Sequence, residues 1–382
     1  MVNKLIPYKE FMRNTLWFMD YILDYIYMFP FKFKKLGRVR KILMVELKFI
    51  GDIIVTTPTI RAVKQAFPLA KIDILVPQGM EDTLYGNPNI SEILPFNYNY
   101  DEWARKLKGG YDLAIILHNG TIKVSTMLLK AKIPYRIGCT KVGFLESKGF
   151  FLHKKTKPTY QIKHKVDDNL DVIKTIGIYP RNKNLEIYSD LKTELEMKKK
   201  LPSHYCAILN SSRHAENKEW LPERFAELAQ FLQNNGYEIV LTGSKQDYEK
   251  NENLKKLSTV FMYNFAGTSI KEFFAIIKNA EFVISIDSSA MHIAAGFNVP
   301  VIALFGAGTP KIWRPYSKNS IVVFKDQVHT SCMKPKCYLK GDRHMECMKA
   351  IKTDDVIDAI RRIKENRELV IERAKRVSEK RA

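Results

Sequence analysis

Three short polar loops hold the side chains of this chain whose types and spacing could do chemistry. In the first, Glu46-Leu47-Lys48-Phe49-Ile50-Gly51-Asp52 closes an apolar run. A carboxylate there, beside a glycine that lets another group approach the backbone, is placed to act as a general base. Service as a helix N-cap is the competing use of Asp52. In the second, Asn210-Ser211-Ser212-Arg213 is followed by Lys218, Glu219 and Trp220 and then a helix opening at Leu221-Pro222. Hydroxyls and a lysine suit a diphosphate, because they donate to oxygens whose charge must be offset as a phosphate leaves. A solvated polar turn is the alternative. The third is Ile286-Asp287-Ser288-Ser289-Ala290-Met291-His292, where an acid and two serines precede a helix. The N–H groups of that terminus form an anion site, although the serines could equally serve as caps.

The elements that must position these loops alternate from residue 41 onward. Lys41 to Leu47 is a short β-rich run, Gly51-Asp52 breaks it, Pro58 to Phe67 has helical spacing, and Ile72 to Val76 returns as a strand. Further strands are predicted at Leu113 to Leu117, Cys206 to Asn210, Ile239 to Thr242, Phe282 to Ile286, Val301 to Phe305 and Ile321 to Phe324. Helical segments fall near 121 to 131, 166 to 176, 222 to 235, 269 to 279 and 288 to 297. Two parallel sheets are implied, and in doubly wound sheets ligands bind at the carboxyl ends of strands, where all three loops fall. Residues 178 to 203 lose the alternation and carry a charged run bounded by Pro180 and Pro202, so they are predicted to connect two domains. The divisions are 41 to 185 for the first domain, 186 to 203 for the linker and 204 to 350 for the second. Residues 351 to 382 are expected to close the chain as a charge-rich helix, from Asp354 to about Ser378.

The length of 382 residues suits two domains of about 150 each, and 46% hydrophobic with 27% charged residues is a globular composition. With 62 basic and 41 acidic side chains the net charge is +21, which suits an anionic partner or simple solubility. Five cysteines are an odd number and suggest no disulfide framework, so a reducing cytoplasm fits best. Cys332-x4-Cys337-x9-Cys347, with His344 as a fourth ligand, could bind zinc. The spacing lacks a tight C-x2-C knuckle, and free thiols are the favoured reading.

Residues 1 to 40 differ from the rest. Leu16 to Phe31 is apolar but interrupted by Asp20 and Asp24, and it is shorter than the roughly 20 apolar residues a spanning helix needs. It does not end in a small-residue cleavage site either, which argues against a secretory signal. On a helix, Phe11, Phe18, Tyr21, Ile22, Tyr25, Ile26 and Phe29 would fill a broad apolar arc, followed by the basic residues Lys32, Lys34, Lys35, Arg38, Arg40 and Lys41. Such a segment can lie in a membrane interface or pack on the protein itself.

Five stretches in order carry a family resemblance: Lys41 to Val76, the Ser211 to Trp220 loop, Leu241-Thr242-Gly243-Ser244 with Asp247, Phe265-Ala266-Gly267-Thr268, and Asp287 to Phe305. Together they closely resemble the lipopolysaccharide core heptosyltransferases of glycosyltransferase family 9. Weaker echoes fall at Tyr111-Asp112, Tyr135-Arg136-Ile137-Gly138 and His164 to Gly177, so the likeness covers about 41 to 360 and leaves the first 40 residues aside. The resemblance implies an α/β protein of GT-B architecture, with two Rossmann-like domains whose parallel sheets face a central cleft. The acceptor would be bound mainly by the first domain and the sugar nucleotide mainly by the second. It implies an inverting transfer of a sugar, heptose from ADP-heptose above all, to a lipopolysaccharide core or similar lipid-linked acceptor, without a cofactor.

By motif position, the resemblance makes Asp52 the base and sets Ser211, Ser212 and Lys218 on the donor's diphosphate. It also implies Asp247 near the ribose, Asp287 on the donor sugar, the Ser288 and Ser289 backbone on phosphate, and His292 either facing the ligand or packed. Arg136 is a candidate for an acidic acceptor, against an ordinary surface salt bridge. No D-x-D occurs in the chain, so the usual acidic metal-binding pair of the other main architecture is missing, and Lys218 with a helix dipole would offset the leaving group. Neither G-x-G-x-x-G nor G-x-x-x-x-G-K-[ST] is present. A nucleic-acid binder would explain the charge, but the basic residues are spread along the chain and no nucleic-acid partner is expected. A family member using another sugar nucleotide, or a non-catalytic sugar-nucleotide binder of the same fold, is the alternative. The expected place of work is the cytoplasm, with the protein peripheral on an anionic membrane surface.

Overall fold

The computed structural model describes residues 34–118, 122–139, 151–156, 162–212, 215–328 and 330–365. The contacts divide the chain into two compact units, Met1–Leu185 and Glu186–Ala382. The aromatic arc before residue 34 and the far end of the closing helix lie outside the described residues.

In the first unit six parallel strands, β1 (Lys41–Val45), β2 (Lys71–Pro77), β3 (Glu92–Phe96), β4 (Leu113–Ile116), β5 (Tyr135–Gly138) and β6 (Lys154–Lys155), lie in the order β3-β2-β1-β4-β5-β6. The central strands are continuous apolar runs because helices cover both faces, and Ile42, Leu43, Met44 and Val45 have no exposed surface. On one face Leu43, Val45 and Leu75 pack with Phe96, Trp103, Met127 and Leu128. The second unit repeats the design with β7 (Tyr205–Leu209), β8 (Glu238–Leu241), β9 (Met262–Asn264), β10 (Phe282–Ile286), β11 (Val301–Phe305) and β12 (Ser320–Phe324), ordered β12-β11-β10-β7-β8-β9. Trp220, Phe225, Ile284, Leu304, Ile351 and Val356 belong to its core. Both orders are the doubly wound one, so each unit has its topological switch point between its first and fourth strands: β1 and β4, then β7 and β10.

The elements missed by periodicity are short or lie at edges. Glu92–Phe96 carries a proline, and Met262–Asn264 has three residues at a sheet end. The charged run expected to be only a connection contains a helix, Leu191–Lys198, which packs on the helix Ile270–Asn279. Its pattern is polar nearly all round; what fixes it is Met197, buried, and Glu194, which is held by Lys278 Nζ at 2.7 Å. Residues 353–365 are helical, and Val356 and Ile360 enter the core.

Candidate active site

The first switch point gathers charge. Glu46 follows β1 directly, His118 stands two residues beyond β4, and Asp52 lies in the short helix Ile50–Ile54. Phe49, not Asp52, occupies the N-cap position and no side chain caps this helix, so Asp52 is not the cap that its spacing also allowed. It sits in the first turn, where the N-terminal dipole favours an anion. Lys165 is brought in by the helix Lys165–Lys174, whose start is fixed by His164: its Nδ1 accepts from the Val166 amide at 3.2 Å. The Lys165 ammonium is buried and donates to Leu117 O at 3.0 Å.

Burial raises the pKa of Asp52, opposed first by Lys165, then by the Phe49 backbone and Lys48. Burial and the charge of Asp52 push Glu46 up to about 8. His118 is lowered to about 3 by burial, with a contact between Nδ1 and Val45 O at 3.4 Å that only partly offsets it, so its ring is neutral. A carboxylate held short of full solvation beside a fixed ammonium suits proton abstraction, since a raised pKa makes a stronger base. The sequence singles out Asp52 and gives no role to Lys165 or His118, which the fold brings to the same switch point. Lys165 carries one available signal, its position next to the cap of the His164 to Gly177 stretch.

The second switch point lies between β7 and β10. The loop after β7 is closed by Asn210, whose Nδ2 donates to Trp220 O (2.9 Å) and whose Oδ1 accepts from Trp220 N (2.8 Å). Trp220 is the plug: its ring is buried and its Nε1 donates to Ile351 O at 2.8 Å. This closure presents Lys218 from a single 3-10 turn, Glu216–Lys218, and its Nζ reaches Asp287 Oδ2 at 2.7 Å. Lys218 is 25% exposed and Asp287 only 7%, so the lysine faces outward over a covered carboxylate. Burial raises the Asp287 pKa and Lys218 opposes it. The expectation that Lys218 meets phosphate and Asp287 meets sugar therefore starts from a pair bonded to each other. Gly308, from the loop after β11, walls the same carboxylate: a Cβ there would collide with Asp287 Oδ2.

Ser288 is the N-cap of the helix Ser289–Gly296 but makes no side-chain cap, contrary to the capping use its sequence allowed. The Ser285 hydroxyl donates to Ile286 O (2.7 Å), so the Ser288 hydroxyl, 2.9 Å away, donates to Ser285 instead of accepting from the helix. His292 is buried within that helix, with the Trp313 ring edge-on at 6.2 Å. Ser211 is buried, and the Ser212 amide donates to Glu219 Oε1 at 3.0 Å. Asp247 closes a capping box: its Oδ2 accepts from the Ser244 amide (2.7 Å) and hydroxyl (2.6 Å), which gives it a local structural use.

Arg136 is a correction. It is not on the surface: it is 3% exposed, its Nε donates to Phe151 O at 2.7 Å and its Nη1 to Ile133 O, so backbone carbonyls hold its guanidinium in a covered place. It ties residues 151–156 to β5. Arg136→Ala should strand those carbonyls and lower the stability of the fold by about 1–3 kcal/mol, read as a shift in the denaturant midpoint. An unchanged midpoint would mean that these bonds carry no stability.

The three clustered cysteines come near one another, since Cys332 and Cys337 both raise the Cys347 thiol after burial does. The Met345 amide donates to Cys337 Sγ at 3.3 Å. Among the described residues no group of three or more His, Cys, Asp or Glu side chains could hold a metal ion.

A sequence profile of glycosyltransferase family 9 (heptosyltransferase) matches residues 102–342, more than half of the chain. Lipopolysaccharide heptosyltransferase 3 of Escherichia coli (strain K12) is 28% identical over 345 residues, spanning 83% of this chain and 96% of that one. The fold is similar to that of a solved family 9 glycosyl transferase from Veillonella parvula (TM-score 0.73, 23% identity, 86% of this chain and 98% of that one). It is equally similar to that of E. coli ADP-heptose lps heptosyltransferase II (TM-score 0.73, 22% identity, 86% and 99%).

Proposed function

The chain belongs to glycosyltransferase family 9 and is a glycosyltransferase, and from that premise we propose that it moves heptose from ADP-heptose to a lipopolysaccharide core or similar lipid-linked saccharide, with inversion. The observation that carries this reading is that each unit places a buried or half-buried carboxylate with a lysine at its own switch point. The first holds the Asp52 carboxylate with Lys165; the second holds the Lys218–Asp287 pair beside a helix start that no side chain caps. The names of relatives, a lipopolysaccharide heptosyltransferase and an ADP-heptose heptosyltransferase, support the donor and acceptor.

In this reading Asp52 takes the proton of an acceptor hydroxyl as that oxygen attacks the anomeric carbon, and the bond to the diphosphate breaks in the same displacement. Lys218, the Ser211 and Ser212 loop and the Ser288 and Ser289 amides receive the charge that grows on the leaving diphosphate. Asp287 holds Lys218 in place and faces the donor sugar; Asp247 lies toward the ribose. Thermal shift across a panel of sugar nucleotides tests the donor. A true donor at 100 times its dissociation constant stabilises by about 2.7 kcal/mol, and a larger shift with another sugar nucleotide would replace ADP-heptose.

Among the described residues no helix is long and apolar enough to cross a membrane. Residues 1 to 40 are proposed to bring the enzyme to the anionic cytoplasmic face of a membrane, with the aromatic arc supplying apolar burial and each basic residue up to about 1 kcal/mol. Deleting residues 1–38 keeps the Arg40 and Lys41 amides on Asp112 Oδ2, at 2.7 and 2.9 Å. The truncated protein should leave anionic vesicles in sedimentation while its melting temperature stays put. Unaltered sedimentation with a lower melting temperature would mean that the segment packs on the protein instead.

A further inference from the structure

Glu46 is wholly covered, and its amide donates to Leu75 O at 3.0 Å, so its backbone continues the sheet. Neither carboxyl oxygen has a hydrogen-bond partner of ordinary geometry, and the Lys48 amide acts on it only weakly. Such a group is costly to bury as an anion and far cheaper as a neutral acid. The charged and titratable groups around it are Asp52 from the short helix, Lys165 from the Lys165–Lys174 helix, Lys48 from its own loop, Tyr98, and His118 beyond β4. Lys48 is exposed and screened by water, and His118 is neutral. Two carboxyl groups thus share one buried ammonium, and the neutral arrangement is one carboxylate, one protonated acid and Lys165. Asp52 has the backbone of its own helix turn to support an anion, so Glu46 is the member that keeps the proton.

We propose that Glu46 is a positioning residue for the Asp52 base: it carries the proton of the carboxyl pair and so leaves the Lys165 ammonium committed to Asp52. The kinetic part rests on Asp52 being the base; the protonation part does not. When Glu46 ionises, near pH 8, it competes with Asp52 for the Lys165 ammonium, so transfer should fall there.

The sign for stability follows from linkage. An unfolded glutamate releases its proton near pH 4.3, whereas native Glu46 keeps it to about 8, so its contribution is present at acid pH and is lost as pH rises to about 8. The test compares wild type with Glu46→Gln, which copies the shape of the protonated acid. Melting temperature against pH should fall less steeply in the Gln variant between pH 5 and 8, by up to one proton per molecule, and the decline of kcat near pH 8 should vanish from its profile. If the two proteins melt with the same pH slope, Glu46 is ionised in the native state and the proposal fails. If the slopes differ but the kinetic limb persists in the variant, Glu46 does not act on Asp52 and the positioning role fails. A protein that transfers no sugar overturns the proposed function, while the melting slopes still decide who holds the proton. Should the Gln variant not fold, isotope-edited infrared spectroscopy of the wild type decides: a protonated carboxyl stretch at pH 7 that disappears above pH 8 is expected, and its absence at pH 7 overturns the proposal.

Discussion

Replacing Asp52 with asparagine is expected to lower sugar transfer by roughly 10²- to 10⁴-fold, with donor affinity nearly unchanged. Asparagine keeps the shape of the side chain and its place in the first turn of the Ile50–Ile54 helix, and it removes the only function that turn position does not explain. The carboxylate is half-buried, its pKa is raised by what burial it has, and it feels the charge of a buried lysine, an unusual setting for a residue that caps nothing. Donor affinity should hold because the proposed diphosphate contacts belong to the second unit. The wild-type rate should also rise with pH through the raised Asp52 pKa, above the usual carboxylate range, because only the ionised form accepts a proton. Single-turnover kinetics with saturating donor read both effects, and near wild-type turnover in the Asn variant would move the base elsewhere.

Lys218→Ala should reduce transfer by about 10²- to 10³-fold, the scale for removing one donor to a developing negative charge, and should weaken donor binding as well. It should also cost stability. Asp287 is nearly covered and its carboxylate is bonded to Lys218 at 2.7 Å, so loss of the lysine leaves a buried charge without its partner, at about 3–5 kcal/mol near neutral pH. Asp287 already has a raised pKa with Lys218 in place and should rise further without it. A carboxyl raised above its unfolded value loses its contribution as pH climbs through the folded pKa, so the gap between variant and wild type should widen from acid toward neutral pH. The double variant Lys218→Ala, Asp287→Asn separates the two effects: it should recover most of the stability and none of the transfer. Chemical denaturation at several pH values, beside donor titrations, checks this, and a gap independent of pH would mean that Asp287 is not the group left behind.

The chain pattern revealed the parts whose physics is local. Central strands such as Phe282–Ile286 and Val301–Phe305 were legible because a strand buried on both faces is an unbroken apolar run. The positions of Asp52, Lys218 and Asp287 at strand ends were legible because each follows such a strand within a short polar loop. What stayed hidden depends on distant partners. Lys165 bonds to Leu117 O just beyond β4 and acts by its charge on Asp52 and Glu46, more than a hundred residues away in the chain, and nothing in Lys165-Val166-Asp167-Asp168 distinguishes a buried amine from a surface one. The burial of Arg136 was hidden for the same reason: an arginine in a strand reads as exposed unless the carbonyls of Ile133 and Phe151 are seen around it. Gly308 shows its use only when the Asp287 carboxylate is found against it. The Leu191–Lys198 helix was missed because its pattern is weakly amphipathic and its support comes from Met197 and the Glu194–Lys278 pair.

The most direct test of the central claim is acceptor-dependent release of nucleoside diphosphate, measured for wild type and Asp52→Asn side by side with ADP-heptose and a heptose-deficient lipopolysaccharide core. Wild type should release ADP only when acceptor is present, with the new linkage inverted at the anomeric carbon by NMR, and the Asn variant should bind ADP-heptose yet release almost none. Release at equal rates from both proteins, or a product of retained configuration, would contradict an inverting transfer that uses Asp52 as its base.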